Sequence, residues 1–516
     1  MKRTWLVIAA SLLAALSRTN AGERIDQEGR ILGPLAVVTN SILFDTTNAD
    51  AVVSTMQIFP VTSPYNENVS GLPLATNSSA IIAQISSDLP SSRRTLRLFQ
   101  EMNYVLAPDN QPLAPIDFFD YPDQSDLNGG TYPDGAYPIP TNMPIEGWPT
   151  QTGDETLTQV EQATNGVGGT DRHGIIVQPG AGFSFETWMT FLSGTNWQAA
   201  NGAIFNLNSN VSRPAGWTSG DAAGLSMFGA VVRFDECERG MVEHACRVVV
   251  ERTLYNNYIY PATHYASASS NTQSSLPSMG QRLRLHAGFM VPTNWTTEEK
   301  ALLAGLKKYG ALVADNGGFF SISIAPDDRW PANAFDDISS PGIAITNFEV
   351  VQATGPTGGP RSPGAPTASA GPDESVGISQ AISLQGYVSF TGSAPAVLWK
   401  LYSGPGTAVF ANATQTNTTV SFSAPGVYTL EISADDGVHA VAYDAAVFTV
   451  NNSLSLSGTA DGSGIDLTWF GGAGPFVVQR AESLPATSWS DILTTSVQNA
   501  SFPLTNQTGF FRILSQ

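Results

Sequence analysis

The chain is short of positive charge, of cysteine and of histidine. In 516 residues it carries 24 Lys plus Arg against 44 Asp plus Glu, two Cys and five His, and only 13% of residues are charged. A formal net charge of −20 leaves no basic surface to neutralise phosphates, which excludes nucleic acid as a partner. After the first residues no run approaches the roughly 20 apolar side chains of a membrane helix, so no transmembrane segment is expected. The histidines lack H-x-x-x-H or HExxH spacing, which argues against a zinc centre. A G-x-S-x-G nucleophile elbow, a phosphate-cradling G-x-x-x-x-G-K-[ST] loop and the E-x-D-x-x-E strand motif of common jelly-roll endoglucanases are also missing.

What is present begins with Met1–Ala21, MKRTWLVIAASLLAALSRTNA. Lys2 and Arg3 precede an apolar stretch from Trp5 to Leu16 and a small-residue end, the pattern of a secretory signal peptide. The expectation is an exported protein, extracellular, periplasmic or held at the cell surface. With 48 Gly and 33 Pro, the remainder reads as turn-rich and all-β. ATGPTGGPRSPGAPTASAGP is dense in Pro and Gly and has no hydrophobic period; its stretch 353–368 is taken as a linker. It divides a large unit, 22–352, from two smaller ones, 369–451 and 452–516.

In the large unit, GFSFETWMTFL, GAVVRFDE, ACRVVVERTLY, QRLRLHAGFMV and FFSISIA have strand length and pattern. One helix is clear. Thr296 and Glu299 form a capping box, Leu302, Leu303, Leu306 and Tyr309 make its apolar face, and Gly310 ends it. The fold expected is a jelly-roll-like β-sandwich with one packed helix, then an immunoglobulin-like sandwich and a small β module.

Three resemblances accompany this pattern. AGPDESVGISQAISLQG, LWKLYSGPGTAVFANATQTNTTVSFSAPGVYTLEISADDG and the closing FTV resemble a PKD-type domain of secreted bacterial proteins, which implies core roles for Trp399 and Tyr428. Val477–Arg480, Trp489 and Phe510–Arg512 resemble a small C-terminal β module of such proteins, which implies a means of cell-surface association. DRHGIIV, VRFDECERGMVEHACRV, YPATHYASAS and KKYGALVADNGG, in that order, resemble a group of secreted bacterial proteins with no established activity. That last resemblance implies a common module and export, and names no substrate.

Alternation along strands sorts candidate site residues from core. Glu186 and Trp188 share the polar face of FSFETWMTF, Arg233 and Asp235 that of VVRFDE, and Arg282, Arg284 and His286 that of QRLRLHAGF. Carboxylates beside flat aromatics suit a polysaccharide cleft, and glycoside hydrolysis commonly uses two carboxylates. Asp235 and Glu236 are adjacent and would face apart on a strand, so Glu186 with Asp235 is the expected acid/base or nucleophile pair. His264 and Tyr265 of YPATHYAS would position substrate, Trp188 and Trp217 would stack on sugar, and Asp171, His173 and His244 would line the cleft. A polysaccharide lyase is the alternative, with His264 or Tyr265 as base and Arg282 or Arg284 holding a uronate. A non-catalytic, carbohydrate-binding or adhesive protein is the third reading. No cofactor is required on any of them, although Asp120, Asp123 and Asp126 in an acidic Gly/Pro-rich loop are candidates for a structural calcium. Cys237 and Cys246 bracket eight residues and, in an exported protein, are expected to close a disulfide.

Overall fold

The computed structural model describes residues 23–128, 135–164, 170–378, 381–451, 454–461, 463–472, 474–503 and 509–515. The leader expected at 1–21 and part of the acidic loop, 129–134, lie outside the described residues. The architecture is all-β and of sandwich type. Packing divides the chain into two compact units, one spanning Asp26–Pro363 and the other built mainly on the chain from Gly364 onward.

In the larger unit a five-stranded sheet runs in the order Ile42–Leu43, Val105–Leu106, Gly174–Gln178, Phe183–Trp188, Asn201–Asn206. A six-stranded mixed sheet runs Phe348–Val350, Arg282–Leu285, Ala311–Asn316, Cys246–Val250, Ser321–Ile324, Arg97–Gln100. A four-stranded sheet of Ala136–Tyr137, Ala114–Phe118, Asn196–Ala199 and Phe191–Ser193 contributes to a second, smaller core. Cys246–Val250 and Ala311–Asn316 are parallel neighbours, which requires a crossover. The crossover carries the helix expected from sequence, Thr297–Lys308. Thr296 Oγ1 accepts from Glu299 N at 3.1 Å, Glu299 Oε2 accepts from Thr296 N at 3.0 Å, and Leu302, Leu303, Leu306 and Tyr309 are buried.

Further helices accompany it: α1 (Thr47–Val53), α2 (Ser78–Asp88), α3 (Leu157–Gln162) and α4 (Phe234–Arg239), with Thr297–Lys308 as α5. Of these, α4 corrects an expectation. The alternation in VVRFDE predicts a strand, yet the chain turns helical at Phe234 because Glu236 reaches back to the Arg233 N–H and Gly240, at φ 91°, closes the helix. Asp235 and Glu236 therefore sit in a first helical turn, where carboxylates are favoured.

The expected disulfide is also corrected. Cys237 lies in α4 and Cys246 opens a strand, and both are free, buried thiols. The intervening loop is held by charge instead. Arg239 binds Asp235 at 2.5 Å and Glu243 at 3.1 Å, Arg233 binds Glu236 at 2.6 Å, and His244 Nε2 meets Glu236 Oε2 at 3.1 Å. Burial pushes both thiols upward, which keeps them protonated and unreactive.

Residues 353–363 of the expected linker pack within the larger unit. Arg361, 4% exposed at its side chain, donates to Thr354 Oγ1 at 2.6 Å, pairs with Glu67 at 3.5 Å and lies 5.1 Å from the Tyr260 ring centroid. In the second unit, strands of 374–451 pack around Trp399, Tyr428 and Phe448, and strands of 455–515 form a separate cluster around Trp469, Phe476 and Val478. Tyr428 Oη donates to Ala424 O at 2.9 Å, so a polar tip satisfies this otherwise apolar core.

An Ellman titration without reductant checks the cysteine assignment. No thiol should react in the native protein, and both should react in concentrated guanidinium; an absence of thiols after denaturation would restore the disulfide.

Candidate active site

The pair expected from strand alternation is not assembled. Glu186 is fully buried in Phe183–Trp188, where its carboxylate accepts from Ser226 Oγ (2.7 Å), Met227 N (2.7 Å), Ser184 Oγ (3.0 Å) and Phe228 N (3.2 Å). It binds the start of a short 3-10 turn, a structural task. Asp235 is held by Arg239 and Arg233 and shares none of these partners. The strand expectation failed because both faces of these sheets are covered, so a polar face need not be a wet one.

Arg282 and Arg284 illustrate the same point. Arg282 donates to the carbonyls of Tyr309 (2.6 Å) and Pro64, and burial lowers its pKa to about 10. Arg284 binds Glu349 at 2.7 Å and the carbonyls of Val69, Ser70 and Leu72, while His286 meets the other Glu349 oxygen at 2.9 Å. Neither guanidinium is free for a uronate. His244 is engaged by Glu236 and by the Ala245 carbonyl. Asp126 accepts from Ile204 N at 2.9 Å and from Arg213, while Asp120 and Asp123 are exposed. Among the described residues no group of three or more His, Cys, Asp or Glu is placed to hold a metal ion.

A different set converges. Arg247, on the central strand Cys246–Val250, is buried and makes a two-pronged pair with Asp221: Nε to Oδ2 at 3.1 Å and Nη2 to Oδ1 at 2.9 Å. Its Nη1 donates to Ser323 Oγ at 2.9 Å, which donates to Glu101 Oε1 at 2.8 Å. Asp315, at the end of the parallel neighbour strand, lies 3.7 Å from Arg247 Nη2 with 23% of its side chain exposed. The Asp221 loop is fixed from the other side, since the Gly220 carbonyl accepts from His173 Nε2 at 2.8 Å. Gly220 packs against the Met227 side chain, whose Cε would lie 2.4 Å from an added Cβ and would have to move aside.

His173 Nδ1 faces Glu146 Oε2 at 3.0 Å, so both ring nitrogens face acceptors and both carry hydrogen. Burial alone would discharge the ring, but the charge and hydrogen bond of Glu146 outweigh it and raise its pKa to about 9. Burial and the neighbouring Glu146 raise Glu101. For Asp315, burial first and the Asp221 charge second raise the carboxyl to about 7, with Asp171 adding to the repulsion. Asp171 is exposed beside this group, and its carbonyl accepts from Met189 N at 3.1 Å. Arg172 (φ 58°) and Met189 (φ 52°) hold left-handed backbone at the rim, a strain of roughly 1–3 kcal/mol each that concentrates at functional sites.

No family model matches the chain, and no curated protein matches it. Among solved structures, a crystal structure of domains A168-A170 from titin matches at 12% identity with a TM-score of 0.14, over 27% of this chain and 55% of that one. The chain thus spans about half the length of the titin fragment, and a likeness of that size carries no argument.

Of the residues expected from sequence, Asp171 and His173 belong to the convergent cluster. His264 borders it: its Nδ1 faces the Ala222 carbonyl at 2.8 Å, next to Asp221, and its ring stacks on Tyr265 at 5.8 Å. Burial lowers the pKa of His264, which favours neutral imidazole. Trp188 lies 6.0 Å from Tyr121 and Trp217 packs under Arg213, both half-buried. Asp221, Arg247, Asp315, Glu101 and Glu146 were missed. The available signal is segmental, since DRH, CRVVV and VADNG lie within the stretches quoted above, while nothing there marks Asp221, Glu101 or Glu146.

The His173–Glu146 pair gives a stability prediction. A histidine raised from 6.5 to about 9 contributes fully below 6.5 and loses that contribution as pH rises through 9; Glu146, lowered, loses its share as pH falls through its ordinary range. Thermal unfolding should therefore show a fall in Tm between pH 6.5 and 9, and His173→Gln should flatten that limb. An unchanged slope in the variant would remove the assignment.

Proposed function

We propose that the larger unit is a glycan hydrolase in which Asp315 is the general acid. The observation that supports it is a partly exposed carboxyl raised to about 7 beside a buried ion pair. Such a group remains protonated near neutrality and can donate to the oxygen of a glycosidic bond. Asp171, exposed at the same cluster, is the carboxylate that acts on the opposite side of the bond, on water or on the anomeric carbon. Arg247 and Asp221 touch no substrate in this scheme; they fix where Asp315 stands.

The bound state of Arg282 and Arg284 speaks against the lyase alternative. Export through the leader at 1–21, a polysaccharide partner and cell-surface association through 452–516 remain part of the proposal, resting on sequence alone. Among the described residues, no helix is long and apolar enough to cross a membrane.

Asp315→Asn should lower kcat by about 100-fold or more, as expected when a positioned acid is lost. In the parent protein kcat/KM should fall as pH rises through about 7, because the protonated acid is the active form. A raised carboxyl binds more protons folded than unfolded, so stability falls as pH rises toward 7. The amide should accordingly unfold at an equal or higher temperature at pH 8 while losing turnover. Retained turnover on a responsive polysaccharide, or a pH profile without that limb, would refute the assignment.

A further inference from the structure

A pocket opens to solvent between Phe59, Tyr65, Phe205, Asn210, Arg213 and Tyr260. Its walls are unusual for a surface depression. Phe59, 6% exposed, is held at φ 60°, and its ring stacks on Tyr65 with centroids 4.9 Å apart and planes 14° apart. Phe205 lies under the Arg213 guanidinium at 5.8 Å, and Val211 stands 86% exposed at the mouth. Asn210 donates through Nδ2 to Thr62 Oγ1 at 2.8 Å, while its Oδ1 is buried with no partner. If the amide were turned over, the unpaired atom would be the nitrogen, so one end lacks a partner either way. An amide atom left without a partner forfeits a hydrogen bond, which a ligand hydroxyl would restore on reaching it.

Charge decides what kind of ligand fits. Arg213 is the one charged residue among those lining this cavity, and it is already neutralised by Asp126 and bonded to Gln124 O at 2.7 Å and Thr218 O at 2.9 Å. An anionic ligand would find no free counter-charge. Aromatic faces with an unpaired amide and the hydroxyls of Ser63, Ser209 and Ser212 match a ring that has apolar C–H faces and neutral hydroxyl edges. Position agrees. The stretch that supplies Arg213, Gly224 and Leu225 to the cavity carries Asp221 to Arg247, and Tyr260–Pro261 runs on to His264 beside Ala222.

From this we infer that the cavity is a subsite for one neutral sugar residue of a glycan, adjoining the Asp315 cluster; its catalytic significance rests on the hydrolase reading, its binding does not. The test measures dissociation constants by calorimetry for cellohexaose, xylohexaose, mannohexaose and, as the acidic control, trigalacturonate. The full chain is compared with Asn210→Ala, Phe205→Ala and Asp315→Asn, with melting curves recorded for each. Binding of a neutral oligosaccharide, weakened tenfold or more in Asn210→Ala at unchanged Tm but preserved in Asp315→Asn, is the expected result. Phe205→Ala should weaken it likewise. Unchanged affinity in folded Asn210→Ala, no binding of any neutral probe, or preference for trigalacturonate would overturn the inference. Lost turnover in Asp315→Asn with unaltered binding by the cavity variants would leave the hydrolase reading standing and remove the subsite. The converse, weakened binding with no turnover in any form, would keep the subsite and remove the hydrolase.

Discussion

The buried guanidinium of Arg247 is the constraint around which the larger unit is arranged. A full positive charge inside a protein costs several kcal/mol unless it is paired and its donors are used. The pairing ties together four regions of sequence: Asp221 from a loop, Ser323 and Asp315 from neighbouring strands, and, through Ser323, Glu101. Five carboxyl groups, Glu101, Glu146, Asp171, Asp221 and Asp315, surround two cations, Arg247 and His173. Burial first, and the excess of acid second, favour the protonated forms of Asp315 and Glu101, and this gives Asp315 its chemical character.

The same covering of sheets that buries Arg247 explains why polar side chains occur where core residues are usual. Arg282 and Arg284 donate to carbonyls of 64–72, and Glu186 satisfies two backbone N–H groups at the start of a turn. Removing such a side chain leaves its backbone partners buried and unpaired, a loss of roughly 1–3 kcal/mol each. These residues are costly to alter for reasons of folding, and a loss of activity on mutating them would say nothing of chemistry. Asp315 differs because it is partly exposed and destabilised in its charged form.

Much of the architecture was legible in local pattern. The capping box at Thr296–Glu299 was read correctly because both partners lie within one helical turn. Strand-length runs were read correctly where turn residues bounded them. α4 was missed because its start depends on Glu236 bonding back to residue 233, a signal masked by the apolar alternation of VVRF. The site was legible only in fragments: Asp171 and His173 are among the expected residues, but His173 meets Glu146 and Gly220, 27 and 47 residues away, and Arg247 and Asp315 meet on parallel neighbour strands that no local pattern pairs.

By itself the sequence determined an acidic, turn-rich, all-β chain, a capped helix and the buried Trp399 and Tyr428 of the 369–451 unit. These follow from interactions within a few residues or from alternation along one strand. Which polar strand faces are wet, whether Cys237 and Cys246 join, and which carboxyl is raised were decided only by tertiary structure. Burial and charge at a side chain depend on what the rest of the chain lays against it, and in this fold both faces of the strands that matter are covered.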